Sequence, residues 1–184
     1  MATIAVEAKT ASYDEETMMT RLFAVAALIC LSMVAFADNH PGEVAAIGQV
    51  IDDFHAAADA DAKRYLGHLT KDAVFMGTDE WERWPKHPDF TEYVNTRFAD
   101  GGWHYQSVER HVVMAPTGGS AWFDEVIYSQ TNGRFRGTGV AVKTEAGWKI
   151  AHYAMSFLVL NENWEDVVEL TRSTKQKMKE QQSQ

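Results

Sequence analysis

From Pro41 onward the spacing of apolar residues changes, dividing the chain into a helical part and a strand part. Val44, Ile47, Val50, Ile51, Phe54 and Ala58 recur at helical spacing behind Pro41-Gly42-Glu43, which predicts a first helix with one buried face. Asp61 is a natural N-cap for a short second helix carrying Tyr65 and Leu66. Asp72-Ala73-Val74-Phe75-Met76 reads as the first strand, ended by Gly77-Thr78-Asp79. Trp81 and Trp84 share a face if the piece around them is a helical turn, and Pro85 breaks it. A third helix is expected over about Asp89 to Ala99, with Phe90, Tyr93, Val94 and Phe98 inward and Gly101-Gly102 behind it.

The remainder is strand-like. Trp103 to Met114 leads through Pro116-Thr117-Gly118-Gly119 into AWFDEVIYSQ, then RFRGTGVAVK, then WKIAHYAMSFLVL. Asn132-Gly133 and Glu145-Ala146-Gly147 supply the positive φ that short hairpin turns demand. From Asn163 a final helix carries only a weak stripe of Trp164, Val167, Val168 and Thr171 before a polar end. Helices first and long antiparallel strands later predict an α+β fold: a strongly curved, mostly antiparallel sheet wrapped around the N-terminal helices, forming a cone with a pocket.

The N-terminal region adds an address. Arg21, the apolar run from Leu22 and the Ala35-Phe36-Ala37 pattern before Asp38 make residues 18–37 a signal peptide cleaved after Ala37. The apolar run is shorter than the roughly 20 residues a spanning helix needs, and no basic stop-transfer flank follows it. Residues 1–17 carry Glu7, Asp14, Glu15 and Glu16 against Lys9, unlike a basic n-region, so they read as a mis-assigned start or an acidic extension. Residues 38–162 then form one domain and residues 163–184 a C-terminal helix and tail. The expected location is the periplasm or the outside of the cell. The net charge of −9 argues against nucleic acid or anionic membrane as partners. The only cysteine, Cys30, lies in the signal segment, so the domain is stabilised by packing without disulfides.

AVFMGTDEWERW, AWFDEVIY, RFRGTGVAVK and above all GWKIAHYAMSF, together with the long first helix, resemble the SnoaL-like proteins of the nuclear transport factor 2-like superfamily. The resemblance runs from about Pro41 to Leu160. It implies a bent sheet around a helix, a homodimer through the outer sheet face, and activities ranging from isomerases, cyclases and dehydratases to non-catalytic binding or assembly domains. A ketosteroid isomerase-like site would place a carboxylate at the exit of the first strand, where Asp79 is the nearby acid. It would place a second acid on the penultimate strand, where Thr138 and Gly139 stand instead.

The candidate chemistry follows from strand parity. Alternation places Trp148, Ile150, His152 and Ala154 on one face of the last strand, so His152 is expected inward, as a proton carrier or as a hydrogen-bonded core histidine. Asp79, beside Trp81 and Trp84, is expected either as a base in the pocket mouth or as a turn cap. Arg136 calls for a carboxylate on the adjacent strand, Asp124 or Glu125, and parity does not choose between them. Tyr65, Trp81, Trp84 and Trp148 are candidate lining for a small, mostly apolar ligand, with His55 as a further polar wall. The seven histidines show neither H-x-H nor H-E-x-x-H spacing, and no Gly-rich phosphate loop or G-x-S-x-G elbow occurs. No metal or cofactor is expected. The two function classes are a cofactor-independent acid–base enzyme, with His152 and Asp79 as proton handlers, and a non-catalytic ligand-binding or assembly domain.

Overall fold

The computed structural model describes residues 40–59 and 61–183. The expected extension 1–17 and signal peptide 18–37 lie outside the described residues. Helix α1, Pro41–Ala57, opens on a proline in its first turn and buries Ile47, Ile51 and Phe54, the stripe its spacing predicts. Helix α2, Ala62–Gly67, is capped as expected, with Asp61 accepting the Arg64 backbone N–H at 3.0 Å. Strand β1, Leu69–Met76, begins three residues earlier than its apolar run indicates.

The Trp81–Trp84 piece is not a helical turn. After a turn at Glu80-Trp81 the chain pairs back on β1 as a short strand β2, Arg83–Pro85, with Trp84 opposite Phe75. Lys86–Phe90 wraps round into α3, Thr91–Ala99, which buries Val94 and Phe98. Strands β3, Gln106–Met114, β4, Ser120–Ser129, β5, Gly133–Thr144, and β6, Gly147–Phe157, form an antiparallel run. The sheet order is β2-β1-β6-β5-β4-β3, and only the β1–β6 pairing is parallel. Helix α4, Trp164–Gln182, follows a short turn and buries no residue.

Three register slips bend the sheet: in β1 before Val74, in β3 at Val108 and in β6 at Ala151. Helices α1 to α3 lie on its concave face, where Ile47, Phe54, Tyr65, Phe90, Phe123, Ile150 and Tyr153 form one core. Glycine makes part of this concavity. A Cβ on Gly139 would collide with the Phe123 ring, and one on Gly137 with the Tyr153 hydroxyl, so these inward positions on β5 admit no side chain. Among the described residues no helix is long and apolar enough to cross a membrane.

The slip at Ala151 corrects the expected face of the last strand. Trp148 and Ile150 point inward as parity predicts, but the extra residue transfers the inward role to Tyr153, which is 1% exposed. His152 therefore lies on the other face, beside Val140, with its Nδ1 3.0 Å from the Val74 carbonyl oxygen.

Candidate functional site

Two polar arrangements sit on the concave side of the sheet. The deeper one is built on Glu125, a fully buried carboxylate on β4. Its Oε1 accepts the Tyr153 hydroxyl at 2.8 Å and lies 2.6 Å from His55 Nε2 on α1. Its Oε2 accepts Ser107 Oγ at 3.1 Å and two Arg110 nitrogens, Nε at 3.1 Å and Nη2 at 2.9 Å. Arg110 reaches on to Asp52 at 2.8 Å and to the Gly48 carbonyl at 3.2 Å, tying β3 to α1. Burial alone would push the Glu125 carboxyl up. The hydrogen bond and charge of His55, the charge of Arg110 and the Tyr153 hydroxyl overcome it and hold the group at about 2. Every lone pair of this carboxylate is engaged, so its role is to hold strands and helix together.

The second arrangement is an aromatic cavity of about 220 Å³. Tyr65, Phe75, Trp84, Tyr93, Trp103 and Tyr105 form most of its wall, closed by Phe135, Met155 and Phe157. The rings brace one another: Trp84 stacks on Tyr93 at 4.5 Å, and Phe135 meets Phe157 at 4.5 Å. Its polar lining is Thr78, Asn132 and one carboxylate, Glu82. The turn after β1 sets that carboxylate in place. Gly77 N–H donates to the Glu82 carbonyl at 2.9 Å, and the Asp79 N–H donates to Glu82 Oε2 at 3.0 Å. A Cβ on Gly77 would strike the Glu82 carboxylate, so glycine is what lets it lie there. Burial raises the Tyr93 hydroxyl, and the Glu82 charge raises it further. Burial pushes Tyr105 up to about 12 and Tyr65 well above the ordinary phenol value. Near neutral pH the cavity thus offers one carboxylate that accepts protons and three phenols that stay protonated and donate.

The residues expected at the site are distributed unevenly. Tyr65 and Trp84 line the cavity, as expected of them. Trp81 is 67% exposed and only touches the edge of Trp84. Asp79 is exposed on the turn and serves Glu82 through its backbone. Trp148 lies away from the cavity, its indole N–H donating to Glu43 at 2.6 Å. Arg136 takes Asp124 as its partner, at 3.4 Å, and both are near 40% exposed on the outer face. Glu125 faces inward, and its arginine is Arg110. His152 is on the outer face, for the reason given above. Glu82, Tyr93, Trp103 and Tyr105 were not expected from sequence, and the signal for Glu82 was its position five residues after a strand-ending glycine. Among the described residues no cluster of three or more histidine, cysteine or acidic side chains could hold a metal.

Solved structures share this architecture at low identity. An NTF2-like protein of unknown function from Pseudomonas putida is 15% identical with a TM-score of 0.56, over 67% of this chain and 92% of its own. A candidate dehydratase of the NTF2-like family from Streptomyces avermitilis is 16% identical, TM-score 0.56, over 66% of this chain and all of its own. A candidate aromatic ring hydroxylase from Novosphingobium aromaticivorans is 22% identical, TM-score 0.56, over 65% and 91%. At these identities the likeness establishes the fold. No curated protein matches the sequence. The family model for the SnoaL-like domain matches residues 47–160, a span that runs from the buried face of α1 through all six strands, and the chain belongs to that family within the NTF2-like superfamily.

Proposed function

We propose that the protein binds a small, flat, mostly apolar molecule in the aromatic cavity and moves a proton on it without a cofactor, as an isomerase or dehydratase does. The observation that carries this reading is the pairing of Glu82 with protonated phenols inside an apolar wall. Glu82 would remove a proton next to a carbonyl, and a tyrosine hydroxyl would donate to the oxygen as it gains charge. The dehydratase name carried by one fold neighbour is in keeping with this chemistry.

A generic probe separates turnover from binding. 3-Cyclohexen-1-one should isomerise to its conjugated isomer, followed by absorbance, and Glu82→Gln should abolish this while 2-naphthol still quenches the tryptophan fluorescence. Binding of 2-naphthol with no isomerisation of this or related β,γ-unsaturated ketones would leave a non-catalytic binding domain. That second reading draws on the outer sheet face, where exposed Val113 and Trp122 suit assembly.

We infer also that the chain is exported and that residues 1–37 are removed. Intact mass of the protein recovered from the exported fraction should show a start at Asp38; a chain retaining Arg21 would refute export by this signal.

A further inference from the structure

A second cavity, about 720 Å³ and open, lies beside the end of α1 and the start of β3. It shares only Trp103 and Tyr105 with the aromatic cavity, and its character is different. His55 lines it, with a side chain only 7% exposed. Nε2 of this imidazole donates to the Glu125 carboxylate, which leaves Nδ1 as the ring nitrogen still able to take a partner. Nδ1 has no protein partner among the described residues. Nor is it sealed off, since the only fully buried side-chain polar atom without a partner there is Thr70 Oγ1. A nearly buried polar nitrogen that opens on a cavity calls for a hydrogen-bond partner from that cavity.

The surroundings narrow the partner's class. Gln106 and Gln130 each bring an amide that donates and accepts. Asp59 is 2.9 Å from His104 Nδ1, so the acid at the rim already has a hydrogen-bond partner. Trp103 and Tyr105 add flat faces on which the C–H face of a ring can rest. Amides, an imidazole nitrogen and aromatic faces together match the alternating hydroxyl and C–H surface of a saturated ring.

We propose that this groove is a second binding site, independent of the aromatic cavity, which takes a neutral polyhydroxylated ring, a monosaccharide or cyclic polyol, with one hydroxyl hydrogen-bonded to His55 Nδ1. The experiment titrates the full chain, labelled with 15N-histidine, with methyl β-D-glucopyranoside and with myo-inositol while the assigned His55 Nδ1 resonance is followed. At least one probe should shift that resonance saturably. Gln106→Leu and Gln130→Leu, exposed changes that leave the Glu125 contacts intact, should each weaken the binding about tenfold, the loss of one good hydrogen bond. Glu82→Gln should leave it unchanged, which separates this site from the proton-transfer reading. No shift with either probe would overturn the proposal. So would a shift by benzyl alcohol alone, which would make the groove an aromatic-alcohol site, or native affinity retained in both glutamine variants.

Discussion

At the residue scale the deciding contrast is between two arginines on the strands that flank β4. Arg110 serves a carboxylate that water cannot reach, whereas Arg136 pairs with an Asp124 that is 44% exposed. Removing one partner of a buried pair strands the other's charge, so Arg110→Met should cost about 3–5 kcal/mol in urea unfolding. Arg136→Met should change stability by less than about 0.5 kcal/mol, because an exposed pair gains little over its hydrated parts. Equal effects would place the structural load elsewhere. The same carboxylate governs behaviour in acid. Glu125 is held at about 2 against 4.5 for an unconstrained glutamate, so its contribution is present above pH 4.5 and is lost as pH falls toward 2. Asp53, hydrogen-bonded by Arg64 and also held at about 2, loses its contribution over an overlapping window. Urea midpoints measured from pH 5 down to 2 should therefore fall steeply in the native protein. Glu125→Gln should be less stable at pH 7 and show a shallower slope in acid. An unchanged slope would mean that Glu125 does not titrate with unfolding.

At the level of elements, β5 is built to accept what β6 and β4 push toward it. Gly137 gives room to the Tyr153 hydroxyl and the Glu125 side chain, so Gly137→Ala must displace one of them, with an expected loss of about 1–3 kcal/mol by thermal or urea unfolding. Gly119, whose Cβ would meet nothing, provides the control substitution. The arrangement also shows what local pattern can and cannot convey. The α1 stripe, the Asp61 cap and the Gly133 and Gly147 turns were legible because each depends on neighbours within a few residues. His152 was misassigned because one extra residue at Ala151 inverts parity, and the slip is set by pairing with β5, 12 residues away across the sheet at Val140. Which of Asp124 and Glu125 lies inside was likewise undecidable along β4, since the answer depends on Arg110, His55 and Tyr153 from three other elements. Glu82 escaped notice because β2, the strand that folds it back over Gly77, is only three residues long.

For the whole molecule, the curved sheet separates two surfaces with different tasks. The concave side holds the core, the Glu125 network and both cavities. The outer side carries a row in which Val113 on β3 lies opposite Trp122 on β4, Trp122 opposite Val140 on β5, and Val140 opposite His152 on β6. Trp122 is 51% exposed and Val113 45%, on a face where charged neighbours such as Arg136 and Asp124 are already paired. An apolar row of this kind, flanked by satisfied charges, suits a second copy of the same sheet, since one two-fold axis would lay the row against itself. We propose that the protein is a homodimer through this face. Trp122→Glu would place two like charges in the middle of the interface, and sedimentation at micromolar concentration should then show a folded monomer where the native chain shows a dimer. Because Trp122 points away from both cavities, the same variant should still bind 2-naphthol with its tryptophan quenching retained. A native chain that sediments as a monomer would refute the assembly outright, and a Trp122→Glu dimer would move the interface to another face.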